Sequence, residues 1–221
     1  MDIYKSTIYN GPNIGIYAKV NDDFIFIPNG FTDEKSKKLS EYLQTDVIVT
    51  SVANTSLIGI LTVINNHGIL LPNTASEDEL AMLKKKTDLN VEILDVKHNA
   101  LGNMMSVNDT GGIVSPSLPK DALNRISDVL DIELIQKKIA GFHQVGAVMA
   151  TSPTGGIVHP ETDEEDVKII KNILGVNVEP ATINGGLPFL SSGILANSKS
   201  MVVGSLTNGP EIMMLTRAFI N

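Results

Sequence analysis

One short pattern recurs five times along this chain. Each copy opens with a glycine set in an apolar run: Gly15, Gly59, Gly102, Gly146 and Gly193, at spacings of 44, 43, 44 and 47 residues. A period of this size marks one supersecondary unit repeated, and a unit that short cannot bury its own apolar face. Neighbouring copies must therefore supply one another's core.

The copies align beyond the glycine. The first reads Gly15 to Val20, a turn at Asn21-Asp22-Asp23, then Phe24-Ile25-Phe26-Ile27-Pro28. The second reads Gly59 to Ile64, a turn at Asn65-Asn66-His67-Gly68, then Ile69-Leu70-Leu71-Pro72. The third has Gly102 to Val107 and Ile113-Val114 around Asn108 to Gly112, and the fourth and fifth repeat the plan from Gly146 and Gly193. Two apolar runs joined by a turn of Asn, Asp and Gly read as a β-hairpin, so each glycine run is expected to be a first hairpin strand. The Gly-Gly pairs at 111–112, 155–156 and 185–186 are expected to supply positive φ in such turns.

A helix should follow each hairpin. Leu123, Ile126 and Leu130, and likewise Ile170, Ile173 and Leu174, recur at spacings of three and four, the stripe of a helix with one buried face. Thr74 with Glu77 and Thr162 with Glu165 have the spacing of capping boxes, and Gly209-Pro210-Glu211 suits a helix start. The pattern predicts helices over 33–43, 76–86, 119–130, 163–174 and 210–219. Short strands should follow at 47–49, 91–94, 133–135 and 176–178.

The unit is thus strand, strand, helix, strand. An all-β propeller blade has a similar period but no helix. A solenoid needs polar end caps, yet the fifth unit is as apolar as the others. No final strand follows the fifth helix, whereas an extra strand-like segment, Asp2 to Ile8, stands at the start. A closed α/β ring of five ββαβ units accounts for both, with the N-terminal strand completing the last unit and removing an exposed edge. The expected organisation is one domain, 1–221, with units near 10–52, 53–96, 97–139, 140–184 and 185–221 and strand 2–8 closing the fifth. Five backbones converging on an axis leave room for a small axial cavity.

Twenty-five acidic against 17 basic residues give a net charge of −8, which argues against non-specific binding of DNA or RNA. No apolar run is long enough to span a bilayer, and the first residues show no secretion signal, so a cytoplasmic protein without membrane contact is expected. Absence of cysteine removes disulfides, thiolate nucleophiles and cysteine metal sites. His67, His98, His143 and His159 have no ligand spacing, and the glycine pairs lack the lysine and hydroxyl of a P-loop. No cofactor, metal or catalytic group is expected.

The residue that breaks the repeat is more informative. Asn103 follows the third glycine where the other units have Ile16, Ile60, Ala147 and Ile194 after theirs. An amide there needs either a core hydrogen-bond partner or a surface role, and both a core bond and a binding contact satisfy that need.

Four stretches carry a resemblance: Ala100-Leu101-Gly102-Asn103, Asn66-His67-Gly68-Ile69-Leu70-Leu71-Pro72, Gly155-Gly156-Ile157-Val158-His159-Pro160 and Thr207-Asn208-Gly209-Pro210-Glu211. From about residue 3 to the end the chain resembles the archaeal translation initiation factor 6 family, the ribosome anti-association factors. The resemblance implies the pentein fold, a ring of five quasi-identical α/β units, and no catalytic act. It implies binding to the large ribosomal subunit, mainly to a ribosomal protein of the intersubunit face near the sarcin–ricin loop, so that the small subunit cannot join. It also implies a part in late large-subunit maturation, and release linked to a translocase-like GTPase and its cofactor protein. A monomer is expected. The family's contact asparagine falls on Asn103, beside Leu101 and Gly102. Ile60 stands where eukaryotic relatives often have arginine, and Gly193 and Ile194, with the preceding Ser191-Ser192, are expected beside the same face through ring closure. The long regulatory tail of eukaryotic relatives has no counterpart before Asn221. The guanidine-modifying pentein enzymes use a cysteine nucleophile, which this chain lacks. The remaining alternative is a scaffold for another protein or for a small ligand in the axial cavity.

Overall fold

The computed structural model describes residues 1–220. The chain opens with β1 (Asp2–Ser6). Unit one continues with α1 (Ile14–Tyr17), β2 (Lys19–Val20), β3 (Phe24–Pro28), α2 (Asp33–Leu43) and β4 (Asp46–Thr50). Unit two holds α3 (Ile58–Leu61), β5 (Val63–Ile64), β6 (Gly68–Pro72), α4 (Glu77–Lys86) and β7 (Asn90–Leu94). Unit three holds α5 (Leu101–Met104), β8 (Met105–Val107), β9 (Gly111–Val114), α6 (Lys120–Leu130) and β10 (Glu133–Gln136). Unit four holds β11 (Met149–Ser152), β12 (Gly155–Val158), α7 (Glu164–Leu174) and β13 (Val178–Pro180). Unit five has a 3₁₀ turn (Leu190–Gly193), β14 (Ile194–Ala196), β15 (Ser200–Gly204) and α8 (Gly209–Phe219).

Each unit builds one three-stranded sheet, with an antiparallel inner pair and a parallel outer strand reached through the helix. The fifth sheet takes its outer strand from the other end of the chain. β1 runs parallel to β15, with Asp2 opposite Ser200 and Ser6 opposite Gly204. The pentein ring is closed by backbone hydrogen bonds between the first and last units.

The core is divided as the short period demands. Phe26 and Ile48 of unit one are buried against Ile69, Leu71, Leu83 and Val91 of unit two. Leu195 and Val202 of unit five join Ile8, Ile14, Ile25 and Leu39 of unit one. Each helix is wedged between its own sheet and that of the preceding unit, as α2 lies on β15 and α7 on β9. This explains the paired glycines. Gly111 and Gly155 are buried within strands and lack positive φ, contrary to the expected turn role. A Cβ on Gly111 would lie 2.8 Å from the Ile173 carbonyl carbon, and one on Gly155 2.7 Å from the Phe219 Cα. Their bare faces admit the next unit's helix backbone. Only Gly185 and Gly186 have the positive φ expected of the pairs.

Two further expectations are corrected. The run after each of the first three glycines is not one strand; a four-residue helical turn holds the glycine, and the strand begins after it. A run of four apolar residues is too short to show a period, so sequence could not separate the two. The capping boxes also move. Ser76 caps α4 in a reciprocal box with Glu79, two residues later than the spacing predicts, and Asp163, not Thr162, caps α7. α8 has the box Asn208–Glu211 with proline in its first turn.

Candidate binding face

The helical turns meet at one end of the axis. A Cβ on Gly59 would lie 2.8 Å from the Gly15 carbonyl carbon and 2.9 Å from Ala18 O, and nearer still to Gly15 O. Gly102 abuts Gly59 in the same way, Gly146 abuts Gly102, and Gly15 abuts Ser191. Backbone therefore stacks on backbone at four of the five joints of the ring, and only glycine allows an approach this close. The fifth member is Ser191, not Gly193. Gly193 instead faces the side chains of Asn184 and Ile183. Alignment on glycine alone is thus out of step by two residues in unit five.

This changes which residues are equivalent. The residues that follow the ring positions are Ile16, Ile60, Asn103, Ala147 and Ser192, and all five are partly exposed. They rim one end of the ring. Leu101 and Gly102 are buried beneath Asn103, and Gly193 and Ile194 are buried in unit five, with Ile194 only 5 % exposed. Of the six residues singled out in the sequence, the structure brings Asn103 and Ile60 to the surface together and places the other four beneath it.

Asn103 is held by its backbone. Its N–H donates to Ala100 O, and its carbonyl accepts from Gly146 N–H, each at 3.0 Å. Its side-chain amide makes no hydrogen bond among the described residues. The alternative of a core bond therefore falls away, and the amide is left to water or to a partner.

Tight turns stand beside this rim. Four units open with one closed by a β-bridge, Ile8–Gly11, Val52–Thr55, Ile139–Phe142 and Ile183–Leu187. Consecutive residues there adopt positive φ, as at Tyr9-Asn10 and Ala53-Asn54. Glutamates fix two of the turns. Glu79 Oε2 accepts from Ala53 N–H at 2.9 Å, and its Oε1 accepts from Asn54 N–H at 3.0 Å and Ser51 Oγ at 2.7 Å. Glu211 holds Gly185, Gly186 and Thr182 likewise. Burial pushes both carboxyls up, but the hydrogen bonds they accept outweigh it and hold both below the usual range. The turns carry exposed apolar surface: Tyr9 is 50 % and Leu187 40 % exposed, and Phe189, 47 % exposed, packs edge-on to Phe142.

The other end of the axis is closed by asparagine. Asn21, Asn65, Asn108 and Asn197 begin four of the hairpin turns, and all are buried. Each Oδ1 accepts the N–H groups two and three residues on, as Asn65 does from His67 and Gly68. Each Nδ2 donates to the next unit: Asn197 to Asn21 O, Asn21 to Asn65 O, Asn65 to Asn108 O and Asn108 to Ser152 O. Three also cap a neighbouring helix C-terminus, at Leu43, Leu130 and Leu174. In the sequence these residues read only as turn formers, because their partners lie about one repeat away. The carboxylates of Asp22 and Asp109 sit at this end, joined through Asn66.

The histidines do not assemble. His67 bonds Leu130 O through Nδ1, His143 bonds Ser117, and the Nδ1 of buried His159 accepts from Glu161 N–H. Among the described residues no group of three or more His, Cys, Asp or Glu is placed to hold a metal ion. No helix there is long and apolar enough to cross a membrane.

Comparison with known proteins gives the family. The model of the eIF-6 family matches residues 3–218. The chain belongs to the eIF-6 family. It is 59 % identical over 219 residues to translation initiation factor 6 of Cenarchaeum symbiosum, covering 99 % of both chains. It is 56 % identical to that of Nitrosopumilus maritimus over 221 residues, the whole of both chains. Identity to the factor of Staphylothermus marinus is 35 % over 220 residues, covering 98 % of this chain and 97 % of that one.

Proposed function

We propose that this eIF-6 family member binds the large ribosomal subunit with the glycine end of its ring and so keeps the small subunit from joining. The observation that carries the reading is Asn103, a polar residue on a mostly apolar rim whose side-chain amide has no partner among the described residues. Ile60 and Ala147 flank it on the rim. Tyr9, Phe189 and Leu187 provide exposed aromatic and apolar side chains of the kind that anchor interfaces. The opposite end, with Asp22, Asp23 and Asp109, would repel RNA.

The mechanism is occupancy. A rigid ring seated on the joining surface excludes the small subunit by overlap, so inhibition tracks affinity and residence time. The backbone-on-backbone packing at the glycine end suits that role, since it presents a face that loses little freedom on binding. A standard interface buries about 1,200–2,000 Å². In this reading the partner is a protein of the intersubunit face close to the sarcin–ricin loop. The factor acts late in large-subunit maturation in the cytoplasm, and a translocase-like GTPase with its cofactor protein removes it.

Co-sedimentation with purified large subunits tests the reading. Asn103→Lys should weaken binding about tenfold or more, because a charge without a partner is forced into the contact. Asp23→Asn, at the other end, should leave binding unchanged. Equal binding by wild type and Asn103→Lys refutes the assignment.

A further inference from the structure

Between the glycine and asparagine ends the inner strands enclose an axial cavity of about 70 Å³. Its lining is mixed: Lys19, Ser106, Thr151 and Ser191 supply polar side chains, and Val20, Met105 and Leu195 are among the apolar ones. Lys19 is the one charged residue in that lining. Counted from the ring positions, its equivalents are Val63, Ser106, Ala150 and Leu195, so the fold does not need a lysine there.

The Lys19 ammonium has three donors and, among the described residues, no acceptor and no ion pair. Lys199, by contrast, is tied into the fold. Its Nζ donates to Asp22 O at 2.6 Å and Gln44 O at 3.0 Å. Lys19 retains some accessible surface, consistent with its place in the cavity lining. Enclosure lowers its pKa to about 8, and no carboxylate opposes that effect. At pH 7 it therefore still carries most of its charge. The hydroxyls do not neutralise it. Thr151 gives its proton to Val107 O at 2.7 Å, and Ser106 Oγ lies 3.2 Å from Thr151 Oγ1.

We propose that the axial cavity is a binding site for one small monovalent anion, of the halide or nitrate class, held by Lys19. Water would satisfy the three donors but would leave the enclosed charge without a counter-charge. One negative charge matches one ammonium; a dianion would bury an excess. The volume holds a few waters, or one small anion with water beside it, and excludes a phosphorylated metabolite.

The test measures thermal unfolding of the full chain at pH 7 in sodium bromide and in sodium gluconate at equal ionic strength. Gluconate is too large to enter and corrects for screening. Bromide at ten times its dissociation constant should raise the wild-type Tm by about 3 °C or more above gluconate. Lys19→Met and Lys19→Gln should show no such increment. Crystals soaked in bromide should give one anomalous peak within hydrogen-bonding reach of Lys19 Nζ. The proposal is overturned by equal wild-type Tm in the two salts, by an increment that survives in both variants, or by a cavity holding water alone. The wild-type series and the diffraction decide the matter even if a variant folds poorly.

Discussion

Replacing Gly59 by alanine adds one methyl group to the most crowded point of the ring. The new carbon would stand 2.8 Å from the Gly15 carbonyl carbon and 2.9 Å from Ala18 O. Ordinary contacts between heavy atoms settle near about 3.5–4.0 Å. Gly15 O is nearer still, so the first two units must separate by more than about 1 Å at the axis, and no side chain can rotate away because both partners are backbone. In a closed ring that opening is passed on to the next joint. Overpacking in a core costs about 1–3 kcal/mol where side chains can yield, so a loss of about 3 kcal/mol or more is expected here. For a chain of this size that is a fall in Tm of about 6–12 °C. Gly209→Ala is the control: it stands at the first position of α8 with nothing within 4 Å of its added carbon. It should be neutral or stabilising by up to about 1 kcal/mol. Urea unfolding of both variants measures the difference. If Gly59→Ala unfolds within about 1 kcal/mol of Gly209→Ala, the stacked-backbone account of the axis is wrong.

Three other outcomes follow from the same contacts. Asn65→Ala removes two donated bonds, to Asn108 O and Leu130 O, and the acceptor for His67 and Gly68 N–H, so denaturant unfolding should show a loss of about 2–4 kcal/mol. Lys19 has a folded pKa near 8 against about 10.4 unfolded, so its charge opposes folding below pH 8 and that penalty fades as pH climbs toward 10. Without an added small anion, Lys19→Met should be more stable than wild type by about 1–3 kcal/mol at pH 7, with the gap closing by about pH 10; a gap independent of pH would contradict this. Glu79 and Glu211, held below the usual carboxylate range, add stability above about pH 4.3 that disappears as acid protonates them. Glu79→Gln should therefore flatten the acid limb of the stability curve.

Much of the architecture is legible in the sequence because it depends on local period. Leu123, Ile126 and Leu130 form a stripe that fixes α6, and the five helices fall within about one residue of where such spacing puts them. The order of elements, with a strand lacking at one end and spare at the other, reveals the closure that β1 makes. What stays hidden depends on partners in other units. Asn65 reads as a turn residue until Asn108 O and Leu130 O are seen beyond it. Gly111 reads as a turn glycine until the α7 backbone lies against it. Gly193 draws the alignment away from Ser191 because glycine marks the other four ring positions. Ser191 and Ser192 are consequently read as the approach to Gly193 and not as the ring and rim positions themselves, although the spacing of 45 from Gly146 to Ser191 fits the period better than 47 to Gly193. For the face itself, the break at Asn103 is visible, but its unpaired amide is not.

The orientation of the bound ring is the most direct measure of the proposed action. A cryo-electron microscopy map of this chain on its purified large subunit should show Ile60, Asn103 and Ser192 turned toward the joining surface, with the Asn21, Asn65, Asn108 and Asn197 end facing away. A ring docked by its asparagine end, or by the outer helices with the joining surface left open, would contradict the account.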